Sequence, residues 1–159
     1  PQVPLENTDM PETRESLLQH FERAHAALLA SIDGLTEARM VERSLDGWSV
    51  KDHLAHLAFW DDLRAGEVIR LSAGHESVLR MNHEQDATAN ALAYGLRTDI
   101  VLTQARWELD HSHGRLVAAI RLATGRALDP SAYGEAGILS RHGFEHAEYI
   151  REWRSRQGL

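Results

Sequence analysis

The chain has 159 residues, ten histidines, no cysteine and a formal net charge of −7, with 43% hydrophobic and 26% charged residues. This composition is typical of one globular domain, and the acidic balance argues against nucleic acids and anionic membranes, which need a basic surface. The absence of cysteine excludes disulfides, thiolate ligands and a cysteine nucleophile. We expect a single cytoplasmic domain over residues 1–159, because no apolar run is long enough to span a membrane and the first residues lack the features of a signal peptide.

The first long helix is predicted to follow a loose lead-in over residues 1–8. Asp9 suits the N-cap position, and Pro11 falls in the first turn, where its missing N–H costs little. Asp33-Gly34 marks the end of the helix. Apolar side chains recur between these limits at helical spacing: Leu17, Phe21, Ala24, Leu28 and Ile32.

The second long helix has the clearest start signal in the chain. Ser49-Val-Lys-Asp52 matches the capping-box pattern, in which the first and fourth side chains bond to each other's backbone N–H. We therefore expect this helix to begin at Val50, and it should fray near Ser72-Ala-Gly74. The connector before it, residues 35–48, is predicted to contain a short helical turn after Thr36.

The middle of the chain gives the weakest signals. Over residues 75–97 we predict only a short helix, Glu84–Tyr94, ending at Gly95. Thr98 or Asp99 is then expected to cap a third long helix. The apolar stripe of this helix consists of Leu102, Ala105, Leu109, Leu116, Ile120 and Ala123.

The last helix is predicted from about Ile138 to Arg154, after an irregular loop over residues 125–137 and before a short tail over 155–159. Its inward-facing residues should be Ile138, His142, Tyr149 and Trp153. No stretch alternates with the period of a strand. Four long amphipathic helices with one long crossover connection predict an all-α four-helix bundle.

His142 and His146 point most directly to chemistry. Four residues apart on a helix, they share one face with Cβ atoms about 5–6 Å apart, so both imidazoles can bind one cation. Neutral imidazole suits zinc, nickel, iron or copper, and three protein ligands leave one coordination position open for catalysis. The spacing leaves four histidines as candidates for the third ligand: His56, which we favour, and His53, His25 and His113.

The other histidines and the tryptophans have simpler structural explanations. We expect His25 and His113 to lie in the core or in interhelical hydrogen bonds, and His53 to pack near Trp48. Four histidines are predicted to face solvent: His20, His75, His83 and His111. The four tryptophans are predicted to lie in the core or in helix seams: Trp48, Trp60, Trp107 and Trp153.

Two residues near the histidine pair are candidates for catalysis. Glu145 could support a metal ligand or act as a base on water, although a surface acid is the simpler explanation. Tyr149 lies about one turn further along and could orient a substrate or donate a proton, although a core tyrosine is commoner. Asp61 and Arg64 fall among apolar positions and are predicted to form buried pairs with partners elsewhere or, alternatively, to wall a pocket.

Two segments of the chain resemble the DinB/YfiT-like superfamily of bacterial four-helix-bundle metalloenzymes. They are Gly47-Trp-Ser-Val-Lys-Asp-His-Leu-Ala-His56 and Arg141-His142-Gly-Phe-Glu-His146-Ala-Glu-Tyr-Ile-Arg-Glu-Trp153. The metal ligands of that family are a histidine eight positions after the tryptophan of the first segment and a His-x-x-x-His pair in the last helix. The resemblance therefore implies His56, His142 and His146 as the metal ligands, and it demotes the other three candidates.

The resemblance also implies a divalent metal, most often zinc or nickel with iron as a further option, and frequently a homodimer. Several relatives are transferases or isomerases that depend on bacillithiol, mycothiol or glutathione, and others are stress-induced proteins. We therefore expect a metal-dependent S-transferase or hydrolase that acts on a small molecule, with a low-molecular-weight thiol as cosubstrate for the transferase. The alternative is a non-catalytic stress protein of the same fold that binds or sequesters a small molecule.

Overall fold

The computed structural model describes residues 13–78, 83–133 and 141–159, and these ranges contain helices but no strand. The helices in chain order are α1 (Arg14–Ile32), α2 (Glu37–Val41), α3 (Val50–Ser72), α4 (His83–Arg97), α5 (Leu102–Arg121) and α6 (His142–Gln157). Two short 3-10 helices, Gly125–Leu128 and Pro130–Tyr133, follow α5. The prediction of an all-α fold is confirmed. None of the described helices is both long and apolar enough to cross a membrane.

The start of α3 follows from its capping box, as predicted. Ser49 Oγ accepts the backbone N–H of Asp52 at 3.2 Å, and Asp52 Oδ2 accepts the backbone N–H of Ser49 at 2.8 Å. Just before this cap, Asp46 and Gly47 have φ values of 52° and 89°, and Leu45 and Trp48 pair across them. Positive φ at both central residues is the geometry of a type I′ turn, which asparagine, aspartate and glycine favour. This turn places Trp48 directly beside the first turn of α3.

The core is arranged around α3, which packs against α5, while α6 packs against α1. Buried apolar side chains form two clusters. One surrounds Leu17, Val68 and Leu116, and the other surrounds Leu54, Leu109 and Ile150. The predicted stripe of α5 is buried throughout its length: Leu102, Ala105, Leu109, Leu116, Ile120 and Ala123. Because α3 is covered on most sides, polar residues of its first half, including two histidines, are buried too.

Several predicted boundaries of the helices are confirmed. The first long helix ends at Ile32, with Asp33 as its C-cap residue, and α2 begins after Thr36. The end of α3 at Ser72 also agrees with the sequence. Asp9 and Pro11, and the predicted start of the last helix at Ile138, lie outside the described residues. The described residues place Thr13 at the N-cap of α1, where its hydroxyl accepts the backbone N–H of Ser16, and Arg141 at the N-cap position of α6, where it makes no side-chain cap hydrogen bond.

Three predictions about helix boundaries are wrong. The last helix does not end at Arg154 but continues to Gln157, into the predicted tail over 155–159. Neither Thr98 nor Asp99 caps α5, which begins at Leu102 and has no side-chain cap at the preceding residue. Thr98 forms hydrogen bonds with other segments instead. Its hydroxyl accepts a hydrogen bond from the Arg43 guanidinium, and its backbone carbonyl accepts one from Lys51 Nζ at 2.6 Å. The helix predicted over Glu84–Tyr94 is longer than expected and continues through Gly95 to Arg97.

Two aromatic residues that were predicted to be buried in the core or in helix seams are exposed to solvent. Trp107 is 61% exposed and stacks on the ring of His111, with ring centroids 4.8 Å apart. Tyr149 is 51% exposed, although Trp153, one turn later on α6, is fully buried. The last helix packs through Ala147, Ile150 and Trp153, and this buried stripe turns Tyr149 towards solvent.

Candidate metal centre

Three histidines from two helices meet inside the bundle. The Nε2 atom of His142 lies 2.8 Å from Nε2 of His56 and 3.0 Å from Nε2 of His146. One ligand nitrogen from each residue falls within 4.8 Å of the other two, so the three could hold a metal ion. These are the residues that the resemblance implied. The spacing of the sequence could pair His142 with His146, but only the packing of α3 against α6 shows that His56 joins them.

Local features of both helices bring these rings together. His56 lies two turns after the Ser49 cap of α3, and His142 and His146 occupy the first two turns of α6. Gly143 allows α6 to approach α1 closely, because a Cβ at this position would lie 3.1 Å from Cβ of Ala24. A larger side chain at Gly143 would push the first turn of α6, and with it His142, away from the bundle.

The protein environment keeps the three imidazoles neutral. Burial, together with repulsion from the neighbouring His53 and Arg64, lowers the pKa of His56 to about 4. Burial also lowers the pKa of His142 and His146 strongly, with added repulsion from Arg64 and the adjacent histidines. An imidazolium ion is poorly solvated in such surroundings. At neutral pH each ring therefore offers a free lone pair, which is the form that binds a metal.

The geometry fits a divalent cation better than it fits hydrogen bonding among the rings. A neutral imidazole nitrogen offers one N–H or one lone pair, so Nε2 of His142 can form one good hydrogen bond with its two neighbours, not two. A cation accepts all three lone pairs. Metal–nitrogen bonds of about 2.0–2.1 Å place tetrahedral ligands about 3.4 Å apart, so the rings need to separate by about half an ångström. Three imidazoles suit zinc, nickel or iron rather than magnesium or calcium, which prefer oxygen.

A fourth histidine, His53, lies beside the three without joining them. Its Nδ1 atom is 2.5 Å from Nδ1 of His146, the ring nitrogen that faces away from His142. Its ring packs against Trp48 with centroids 5.1 Å apart, which confirms the predicted contact. Trp48 in turn stacks on Tyr94 of α4. Sequence spacing had left His53 as an alternative ligand, and the structure places it one contact outside the converging nitrogens.

The remaining candidate ligands lie elsewhere. His25 and His113 stack on each other between α1 and α5, with ring centroids 3.9 Å apart, which confirms the prediction of an interhelical position. Asp110 lies 3.7 Å from His25 Nε2. His75 and His111 are exposed, as predicted. His20 is half-buried against Phe21 and Phe144, whereas it was predicted to face solvent, and the side chain of His83 lies outside the described residues.

The two candidate catalytic residues are both at the surface of α6. Glu145 is exposed in the first turn of the helix. The ring of Tyr149 lies 6.0 Å from the ring of His146, centroid to centroid. Tyr149 also lines an open groove of about 270 Å³ next to the histidines. The other lining residues of this groove are Leu45, Asp46, Trp48, His53 and His146.

Asp61 and Arg64 form an ion pair near the histidines. Their burial in pairs was predicted, but with partners elsewhere in the chain. Arg64 Nη1 lies 3.3 Å from Asp61 Oδ1, so the two residues pair with each other along α3, and both side chains are mostly buried. They also line a small cavity between α1, α3 and α5, as the alternative prediction had it. Burial raises the pKa of Asp61 to about 6, although the Arg64 charge opposes this change. The spacing of three residues was the signal that could have identified this pair.

Comparison with known proteins agrees with this architecture. A crystal structure of an uncharacterised protein from Escherichia coli UTI89 superposes with a TM-score of 0.76 over 96% of this chain and 99% of that chain, at 16% identity. At this identity the likeness shows the fold alone. No curated protein matches the chain. A family profile described as the DinB superfamily matches residues 20–150, a range that includes all three converging histidines. The chain therefore belongs to the DinB superfamily.

Proposed function

We propose that this protein is a divalent-metal-dependent enzyme whose metal is held by Nε2 of His56, His142 and His146. The observation that carries the proposal is the convergence of three neutral imidazoles, in which Nε2 of His142 lies within hydrogen-bonding distance of Nε2 of both His56 and His146. Three protein ligands leave a coordination position for a reactant, as in catalytic rather than structural zinc sites. Members of the DinB superfamily typically bind metal, which supports the assignment.

The chemistry supplied by the metal would be the activation of a nucleophile. A bound divalent cation lowers the pKa of a coordinated water or thiol towards neutrality. The protein contains no cysteine, so a sulfur nucleophile must arrive with a small molecule. We favour transfer of a low-molecular-weight thiol to an electrophilic substrate over hydrolysis, and the resemblance of the two histidine segments to thiol-dependent enzymes supports this choice. Zinc and nickel are the preferred metals, with iron as a further option.

The groove beside His146 offers a place for the substrate. Its walls are the rings of Trp48 and Tyr149 and the side chain of Leu45, which favour an apolar or aromatic group. The hydroxyl of Tyr149 could orient the substrate or donate a proton from the exposed side of the groove. Glu145 is the other residue of α6 that we propose as a proton acceptor. Its exposure means that it would act on a reactant that enters from solvent.

The first test measures metal content. Protein purified without a histidine tag is analysed by inductively coupled plasma mass spectrometry after dialysis, together with His142→Ala and the control His75→Ala, which changes an exposed histidine. The proposal expects about one zinc, nickel or iron per chain in the wild type and the control, and loss of the metal in His142→Ala. A wild-type protein that retains no metal after reconstitution would refute the proposed centre.

The second test measures turnover. Glutathione, mycothiol and bacillithiol are offered in turn with a chromogenic electrophile, and the rate is compared for the wild type, His142→Ala and Tyr149→Phe. We expect thiol-dependent turnover in the wild type, none above background in His142→Ala, and a reduced rate in Tyr149→Phe. Metal-dependent hydrolysis of an ester or amide without any thiol would favour the hydrolase instead.

A second candidate function is non-catalytic binding of a small molecule, and the open aromatic groove is the observation that favours it. Binding in this groove would quench the fluorescence of Trp48 whether or not metal is present. If metal-free protein binds apolar ligands tightly and the metal-loaded protein shows no turnover, sequestration is the better description.

A further inference from the structure

His53 is a buried polar side chain whose presence is not explained by a stabilising effect on the fold. It is 6% exposed, and its Nε2 atom is buried without a hydrogen-bond partner among the described residues. A buried polar nitrogen without a partner destabilises a fold, and an apolar side chain of similar size would avoid that cost. Within the described part of the chain, the one polar contact of the ring is Nδ1 to Nδ1 of His146, at 2.5 Å. The role of His53 should therefore be sought in that contact.

The direction of this contact follows from proton counting, and it rests on the proposed metal centre. If Nε2 of His146 binds a metal, the single proton of the neutral ring must be on Nδ1. Nδ1 of His146 then donates to Nδ1 of His53, which has to be unprotonated, so the proton of His53 is on Nε2. A metal-bound histidine generally donates its second N–H to a fixed acceptor, which sets its tautomer and its ring orientation.

His146 differs in this respect from the other two ligands. The Nδ1 atoms of His56 and His142 are buried without partners among the residues that the structure describes. His146 is thus the ligand whose second nitrogen meets an acceptor on another helix. His53 itself is held in place at the start of α3, where its backbone N–H donates to the carbonyl of Ser49 at 3.2 Å and its ring packs on Trp48.

We propose that His53 is a positioning residue that accepts a hydrogen bond from Nδ1–H of His146 and fixes that ligand for metal binding. It bonds from α3 to α6, so it also fixes the relative position of the two helices that supply the ligands. Loss of such an acceptor weakens metal affinity by about 10- to 100-fold. Loss of a side chain kept only for packing would instead lower the stability of the metal-free protein and leave the metal affinity of the folded state unchanged.

The test compares three variants with the wild type. His53→Leu removes the acceptor, and His53→Asn keeps one, since the amide oxygen can lie near the position of Nδ1. His113→Leu is the matched control, because it replaces a histidine of the stacked pair outside the metal centre. Zinc dissociation constants are measured by competition with a chromophoric chelator, and melting temperatures are measured without metal.

We expect His53→Leu to bind zinc about 10- to 100-fold more weakly while the melting temperature of its metal-free form is unchanged or higher. His53→Asn should stay within a few-fold of the wild type, and His113→Leu should equal it. Equal zinc affinity in His53→Leu and wild type would overturn the role of His53 and leave the metal centre intact. Absence of zinc binding by the wild type would instead overturn the proposed function.

A spectroscopic measurement keeps the inference testable if the asparagine variant fails to reach His146. Long-range proton–nitrogen correlation spectra of the zinc-loaded wild type report the tautomer of each histidine. The proposal requires Nε2 coordination and a protonated Nδ1 for His146, and an unprotonated Nδ1 for His53. A protonated Nδ1 on His53, or coordination of zinc by His53 itself, would contradict it.

Discussion

The buried histidines should make the metal-free protein sensitive to mild acid. Burial lowers the pKa of His53 and of His56 to about 4, and it lowers the pKa of His142 and His146 further. In the unfolded chain the same side chains return to a pKa near 6.5. Between about pH 6.5 and pH 4 the unfolded state therefore binds more protons than the folded state. Stability is complete above pH 6.5 and falls as the pH falls through this window.

The size of the effect follows from the same values. At pH 5.5, one unit below the pKa of an unfolded histidine, each such residue lowers the free energy of unfolding by a little over ~1 kcal/mol. The four clustered histidines together lower it by about 5 kcal/mol. His113, whose pKa burial also lowers to about 4, adds one more contribution, and Asp61 offsets about one, because its raised pKa makes the folded state take up a proton. Domains are stable by about 5–15 kcal/mol in total, so the metal-free form should approach unfolding near pH 5.

Urea titrations at half-unit steps from pH 7.5 to pH 5 would measure this effect on protein treated with EDTA. We expect the free energy of unfolding to fall by about 5 kcal/mol between pH 7.5 and pH 5.5. His56→Asn should show a shallower dependence on pH, with a loss smaller by a little over ~1 kcal/mol. His75→Asn, which replaces an exposed histidine, is the matched control and should follow the wild type. A free energy of unfolding that is flat down to pH 5 would refute the reasoning.

Three further predictions concern metal and stability. Zinc at about 100 times its dissociation constant should stabilise the fold by about 2.7 kcal/mol and raise the melting temperature by about 5–11 °C in differential scanning fluorimetry; an unchanged melting temperature would contradict specific binding to the folded state. Ser49→Ala removes the cap of α3 and should lower the free energy of unfolding in urea by about 1–2 kcal/mol, whereas Ser49→Thr, which keeps the hydroxyl that donates to Asp52, should retain most of it. Glu67 is 2% exposed, and its carboxylate accepts hydrogen bonds from the Ser77 hydroxyl, the backbone N–H of Val78 and the Arg70 guanidinium. Glu67→Ala should therefore lower the free energy of unfolding by about 2–3 kcal/mol in the same assay. A loss below about 0.5 kcal/mol would count against a stabilising role of these contacts.

Most of the helical framework could be predicted from the order of the residues, because the signals that start and end a helix are local. The Ser49–Asp52 capping box set the start of α3, and Asp33-Gly34 set the end of α1. Every residue of the apolar stripe predicted for α5 is buried, although Ala123 lies just beyond the end of the helix at Arg121. The start of α5 was missed because Thr98, a good cap by type, bonds to Lys51 and Arg43 of distant segments. A tertiary contact thus overrode a local preference.

The candidate metal centre was determined by the sequence only in part. The spacing of His142 and His146 on one helix face is a local property, and it was readable from the chain. Four other histidines could have supplied the third ligand, and the packing of α3 on α6 decided that it is His56. Neither spacing nor composition encodes the distance between a side chain of α3 and one of α6. The same packing left Tyr149 at the surface and brought Nδ1 of His53 against Nδ1 of His146. Contacts between residues ninety positions apart arise from burying the apolar faces of whole helices, so only the tertiary structure could decide them.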